Sequence, residues 1–243
     1  MSKSELAIQT ALQEGELELK GQFMFGSNYT FLVTVHHAGR DVPAVYKPVR
    51  GEQPLWDFPD NTLCRREVAA YLVSEALGFH FVPYTTLRPD GPFYGPGSLQ
   101  QFIECDPEYH YFNFSDADKQ RLRPVVLFDL LANNADRKGS HILIEKGTDK
   151  LWVIDHGLCF HHEEKLRTVL WDFAGEPIPG DLLSCLAAFA PLLATGSEFR
   201  TSLKPYLSAR EISALSARTK ALLHVKMFPS PPHDRRAYPY PPI

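Results

Sequence analysis

Two aspartates frame the stretch of this chain richest in chemistry. Asp136 stands in Leu-Ala-Asn-Asn-Ala-Asp-Arg-Lys-Gly-Ser-His (131–141), and Asp155 in Leu-Trp-Val-Ile-Asp-His-Gly-Leu-Cys-Phe (151–160). Between them, the apolar runs His141–Glu145 and Leu151–Asp155 flank the turn Lys146–Lys150. That alternation around a central Gly predicts a β-hairpin. Asp136 then lies on the loop entering the hairpin and Asp155 at its end, so both carboxylates reach one edge. Phosphoryl transfer uses such a pair: one Asp accepts the hydroxyl proton and the other holds a metal bridging the phosphates. Arg137 and Lys138 would favour an ionised Asp136 and could touch a phosphate. Gly157 would permit a sharp departure from the strand after Asp155.

The same chemistry needs a phosphate cradle and a cation, and candidates for both precede the hairpin. Gly26-Ser27-Asn28 joins two strands and could present backbone N–H groups to a phosphate. Lys47, in Ala-Val-Tyr-Lys-Pro, ends the third strand, and Pro48 biases it to an extended backbone. Glu67, in Arg-Arg-Glu-Val-Ala-Ala-Tyr, sits on the following helix, where it could pair with Lys47. Taken singly, these read as a tight turn, a solvated edge lysine and the polar margin of an amphipathic helix. Their order along the chain raises the functional reading. His36-His37 and His161-His162 suggest metal binding, but adjacent histidines on a strand face opposite sides.

The elements that must position these groups fall into two halves. A helical lead (1–16) precedes strands at Leu17–Phe23, Tyr29–His36 and Val42–Val49, separated by turn-forming clusters. A helix from Leu63 to Leu77 ends at Gly78, and strands follow near Tyr84–Leu87 and Leu99–Ile103. The second half is mainly helical: one helix opens at Ser115 with Pro124 in its first turn or at a kink. Further helices cover Leu182–Leu193 and Ala209–Val225, the second opened by a capping box of Ser208 and Glu211. The tail from Pro229 is proline-dense, predicting an extended or disordered segment that could dock on a polyproline-binding partner. The expected division is 1–16, an N-lobe 17–104, a C-lobe 105–228 and a tail 229–243.

Bulk properties narrow the class. The 243 residues carry 44% hydrophobic and 22% charged side chains with net charge −4, without the basic footprint of a nucleic-acid binder. No apolar run approaches the roughly 20 residues of a membrane span. The start, Met-Ser-Lys-Ser-Glu-Leu, lacks a signal-type apolar core, which predicts a cytoplasmic location. Cys64, Cys105, Cys159 and Cys185 are scattered, predicting reduced thiols and no structural zinc.

Together these motifs resemble the phosphatidylinositol 3-/4-kinase superfamily, nearest type II phosphatidylinositol 4-kinases and a bacterial family of uncharacterised kinase-like proteins. The collinear match runs from about Gly21 to Leu182. It takes in Gly26-Ser27-Asn28, Ala-Val-Tyr-Lys47-Pro, Arg-Glu67-Val-Ala-Ala-Tyr, Gly97-Ser-Leu-Gln-Gln-Phe-Ile, Asn134-Ala-Asp136-Arg and Ile154-Asp155-His-Gly. The resemblance implies an α+β, two-lobed atypical kinase-like fold with an antiparallel-sheet N-lobe and a mainly helical C-lobe. It implies ATP between the lobes, Lys47 on the phosphates with Glu67 as its anchor, and Gln101, Phe102 and Ile103 as the adenine-contacting hinge. Asp136 would be the catalytic aspartate and Asp155 a metal ligand.

Two departures matter. His141 stands where the family pattern has a metal-binding Asn, and imidazole suits Mn2+ better than Mg2+. The cysteine-rich insert of the type II lipid kinases is absent, and the segment after Gly157 carries only His161, His162, Lys165 and Arg167 as potential headgroup contacts, against Glu163 and Glu164. The expected activity is therefore transfer from ATP, with Mn2+ or Mg2+, to a protein hydroxyl or a small soluble molecule. The alternative is a pseudokinase that binds nucleotide or acts as a scaffold.

Overall fold

The computed structural model describes residues 3–24, 28–91 and 94–243. Helix α1 (Lys3–Glu14) leads into the meander β1 (Glu16–Gln22), β2 (Phe31–His37) and β3 (Arg40–Pro48). Then come α2 (Leu63–Ala76), β4 (Thr85–Arg88) and β5 (Gly97–Gln101). These strands form one antiparallel sheet in the order β1-β2-β3-β5-β4. Strict alternation in β2 turns Phe31, Val33 and Val35 inward, where they pack with Ala44, Tyr46 and Leu99. The sequence alone suggests a loosely attached lead helix, and the fold corrects this. Ala11 and Leu12 are buried in this cluster, and Arg88 Nη1 donates to the carbonyls of Leu12 and Gly15.

Helix α2 starts without a side-chain cap from Thr62. Instead the Glu52 carboxylate accepts from the Leu63 and Cys64 amides at 3.2 and 2.9 Å, placing negative charge at the positive helix end. Its other end closes on Gly78, at φ +73°, with Phe79 N–H reaching Ser74 O and Gly78 N–H reaching Glu75 O. Although α2 follows the sheet in sequence, Ala69, Ala70, Val73 and Leu77 pack into the helical half with Leu127, Phe128 and Leu131.

That half comprises α3 (Asp116–Gln120), α4 (Arg123–Ala132), the hairpin β6 (Ile142–Ile144) and β7 (Leu151–Val153), α5 (Gly180–Phe189), α6 (Glu198–Ser202) and α7 (Ala209–Val225). The single helix expected from Ser115 is two. Ser115 caps α3 through Asp118 N–H, and Pro124 opens α4, because its ring fits a first turn but not a helix interior. The tail is extended but packed. Thr168 N–H donates to Ala237 O at 3.0 Å and Gly139 N–H to Pro242 O at 2.8 Å, and Ala237 is buried. Among the described residues no helix is long and apolar enough to cross a membrane.

Candidate active site

The end of β3, the first turns of α2 and the hairpin meet at one point. Lys47 Nζ donates to Glu67 Oε1 and, at 2.8 Å, to Asp155 Oδ1. Glu67 is 2% exposed, and its Oε2 accepts from His156 N–H at 3.0 Å. A carboxylate buried this deeply survives only when both oxygens are bonded. Burial disfavours the Lys47 ammonium, but Asp155 and Glu67 outweigh it and hold the amine charged. Burial likewise pushes Glu67 up, against the pull of Lys47. Asp155 is held well below the carboxylate range because Lys47 overrides its desolvation.

The sharp turn expected at Gly157 falls on Asp155 itself, which adopts φ +60°. A non-glycine residue in that region is strained, and here the strain aims a carboxylate into the cleft. At Gly157 an added Cβ would meet Leu63 Cβ at 3.4 Å, an ordinary contact, so neither space nor backbone conformation demands glycine there.

His141 Nε2 lies 3.2 Å from Asp155 Oδ2. Burial lowers the imidazole to about 4, leaving it neutral and able to offer a lone pair. The donors beside Lys47 are thus one ionised carboxylate and one neutral imidazole. Such a pair fits a divalent ion that accepts mixed oxygen and nitrogen ligands.

Asp136 projects from the loop after α4. Its N–H donates to Asn134 Oδ1 at 2.9 Å, and its Oδ2 lies 3.5 Å from Lys138 Nζ. Burial pushes its carboxyl up to about 6; Lys138 opposes that shift and the negative Asp155 adds to it. The loop is tied to the Asp155 segment by Ala135 N–H donating to Leu158 O at 2.9 Å.

Arg137 does not touch the cleft. It is fully buried and pairs with Asp129 through Nε at 2.9 Å and Nη2 at 2.9 Å. Its Nη1 donates to Ile154 O, and Nη2 bonds His156 Nε2 at 2.9 Å. Burial and the Arg137 charge keep His156 neutral, so its proton sits on Nδ1, 3.8 Å from Glu67 Oε2. Arg137 is therefore a brace behind the site, because only a buried acid could offset its charge there. Asp129, Arg137 and the His156 ring form one bonded group and Glu67, Lys47 and Asp155 another; the His156 backbone N–H on Glu67 Oε2 joins them, while the ring Nδ1 makes no hydrogen bond.

Other expected positions fare differently. Gly26 and Ser27 lie outside the described residues. Asn28 Oδ1 accepts from Gln53 N–H at 2.7 Å, bracing the loop after β3. In the expected hinge, Gln101 N–H is taken by Tyr84 O and Phe102 N–H by Pro43 O, so neither is open to an adenine. Ile103 N–H donates to no backbone carbonyl among the described residues. His161 and His162 sit on a turn, not a strand, and their rings stack instead of facing apart.

Sequence reasoning missed Asp129, His156 as a ring, and Arg66. Arg66 is 1% exposed and binds Cys159 O and Glu211 Oε1, each at 2.6 Å. A signal existed for Asp129: one acid inside the apolar run Val-Val-Leu-Phe-Asp-Leu-Leu implies a buried cation. Nothing local distinguishes Arg66 from Arg65.

No family model matches the chain. Protein Rv2133c of Mycobacterium tuberculosis (strain ATCC 25618 / H37Rv) is 41% identical over 266 residues, covering 95% of this chain and 93% of that protein. Among solved structures, the Golgi casein kinase with Mn/ADP bound matches with TM-score 0.57 at 13% identity, covering 90% of this chain and 74% of that one. The Helicobacter pylori proinflammatory kinase CtkA matches with TM-score 0.54 at 13% identity over 89% and 94%. Hydra Fam20 with sugar matches with TM-score 0.55 at 15% identity over 92% and 89%. The chain thus has the expected kinase-like fold, with its antiparallel N-terminal sheet. These matches are Fam20- and CtkA-type atypical kinases and lend no support to a phosphatidylinositol 3-/4-kinase assignment.

Proposed function

This chain belongs to the family of protein Rv2133c, and on that premise and the geometry of its cleft we propose that it is an ATP-dependent phosphotransferase. The observation that carries the reading is the convergence of Lys47, Glu67, Asp155 and His141 beside Asp136. Lys47 binds the charge of the non-transferred phosphates, and Glu67 fixes its amine in place. Asp136 accepts the proton of an incoming hydroxyl as its oxygen bonds to the terminal phosphorus and the bond to the ADP oxygen breaks. Asp155 and His141 would hold a divalent cation, Mn2+ in preference to Mg2+, which when bound offsets negative charge on the phosphates. Ile103, at the end of the β5 segment, is our remaining hinge contact for adenine, and we place the lobe boundary near residues 104–105.

The acceptor we favour is a protein hydroxyl or a small soluble molecule. Lys165, a candidate headgroup contact, is already 3.2 Å from Asp57 Oδ2 and 3.7 Å from Glu163 Oε2, so its charge is committed to acids of this chain and not to a phosphoinositide. The Golgi casein kinase bound to Mn/ADP is in keeping with this cofactor choice. Location in the cytoplasm remains part of the proposal.

Thermal unfolding with Mn–ATP tests the binding half of this reading, since a ligand of the folded state alone raises the melting temperature. The expected result is a saturable rise in wild type and, in Lys47→Met, a smaller rise that needs roughly 10- to 100-fold more Mn–ATP. A rise with no ADP formed would mark a pseudokinase; no rise at all would overturn nucleotide binding.

A further inference from the structure

Beyond the cleft, three consecutive residues bring metal-binding atoms together. One atom each from His161, His162 and Glu163 lie within 4.8 Å of one another, the sole such group of three among the described residues. The imidazoles stack with centroids 4.4 Å apart and 27° between planes, and His162 Nε2 lies 3.9 Å from Glu163 Oε1.

We propose that this turn is a binding site for a divalent transition-metal ion, zinc above all, held by Nε2 of His161, Nε2 of His162 and the Glu163 carboxylate. Two neutral imidazoles and one carboxylate form a donor set that suits zinc and leaves at least one position for water or an outside ligand. Bonds of about 2.1 Å need donors roughly 3–3.5 Å apart, closer than the 4.8 Å they span here, so binding draws the three side chains together.

The backbone of the turn is already fixed. Asn133 is 1% exposed and left-handed at the end of α4. Its Nδ2 donates to His161 O at 2.9 Å and Glu163 O at 2.6 Å, and its Oδ1 accepts from Lys165 N–H at 2.9 Å. Arg218 Nη1 adds a bond to His161 O at 3.3 Å. Rigid support of this kind lowers the cost of gathering ligands.

The ring of His161 packs edge-on to Phe58, and its Nδ1 accepts from Glu163 N–H at 3.0 Å, with Glu163 O 3.4 Å away. That bond leaves the ring proton on Nε2, so an ion there must displace it and move the proton to Nδ1, where the Glu163 carbonyl can take it in place of the N–H bond. The Lys165 ammonium, 3.7 Å from Glu163 Oε2, also opposes binding by competing for the carboxylate. Removing that charge therefore strengthens the site, an effect that a purely structural turn would not show.

The test is calorimetric titration of zinc chloride into the full chain carrying His141→Ala and Asp155→Asn, which removes the cleft donors. We expect one zinc per chain with a micromolar or tighter dissociation constant. In that background His162→Asn and Glu163→Gln should each weaken binding at least about tenfold, and Lys165→Met should tighten it. Both His162 and Glu163 retain solvent exposure, 26% and 64%, so these substitutions leave the core intact, which circular dichroism checks. Binding no tighter than about 1 mM, or equal affinity in His162→Asn, Glu163→Gln and their parent, overturns the proposal. The outcome is independent of phosphotransfer, because no step of that reaction passes through this turn.

Discussion

Lys47 Nζ and Asp155 Oδ1 lie 2.8 Å apart although 108 residues separate them in sequence. The contact joins the end of a sheet strand to the exit of the hairpin, and buried Glu67 holds the same amine from behind. Replacing Lys47 by Met removes a charged hydrogen-bond donor from the phosphates. Such donors contribute about 1.5–3 kcal/mol, so calorimetric affinity for Mn–ATP should fall roughly 10- to 100-fold.

Asp136 gives the pH dependence. Its folded-state carboxyl is pushed up to about 6 from an ordinary value near 3.8. As a general base it must be ionised, so turnover should rise with pH through about 6 and level off above it. The stability effect has the opposite sign. Between about pH 4 and 6 the folded state holds more protons than the unfolded state, so this group loses stability as pH rises. Asp136→Asn should therefore stabilise the fold by about 1–2 kcal/mol at pH 7.5, after allowing for partial exposure, with the gain vanishing below about pH 4. Urea unfolding at the two pH values checks this.

His141 sets the metal preference. A neutral imidazole 3.2 Å from Asp155 Oδ2 offers nitrogen where Mg2+ demands oxygen. Turnover should be higher with Mn2+ than with Mg2+, and His141→Asn should shift the ratio toward Mg2+. Equal rates with both metals in wild type would remove His141 from the ligand set.

Arg66 and Glu211 anchor α2 to α7 through a buried pair at 2.6 Å, one residue away from Glu67. Glu211 also accepts from Ser208 N–H at 2.8 Å, completing the cap of α7. Glu211→Ala leaves the Arg66 charge buried and unpaired, so it should cost about 3–5 kcal/mol in denaturant unfolding. Replacing both residues by apolar groups should cost less than that single change, which a double-mutant cycle measures.

Much of this architecture was legible because its signals are local. The period-two alternation of Phe31–Val35, the Gly78 stop and the Ser208/Glu211 cap each act within a few residues. The order Lys47, Glu67, Asp136, Asp155 was readable as a candidate site only because several motifs fall in one order along the chain. What stayed hidden depends on contacts distant in sequence. Arg137 reads as a phosphate-facing cation beside Asp136 until the fold turns it inward onto Asp129. The proline-dense tail reads as unpacked, yet its carbonyls at Ala237 and Pro242 accept from the amides of Thr168 and Gly139. The histidine pair at 161–162 was set aside on strand geometry, whereas Asn133 holds that segment in a turn.

ADP formation from Mn–ATP by wild type and by Asp136→Asn, both shown folded and both shown to bind nucleotide, bears most directly on the central claim. The account predicts steady ADP release by wild type and a loss of at least about 100-fold in the variant, the scale of positioned base catalysis. Equal release from the two proteins would contradict it.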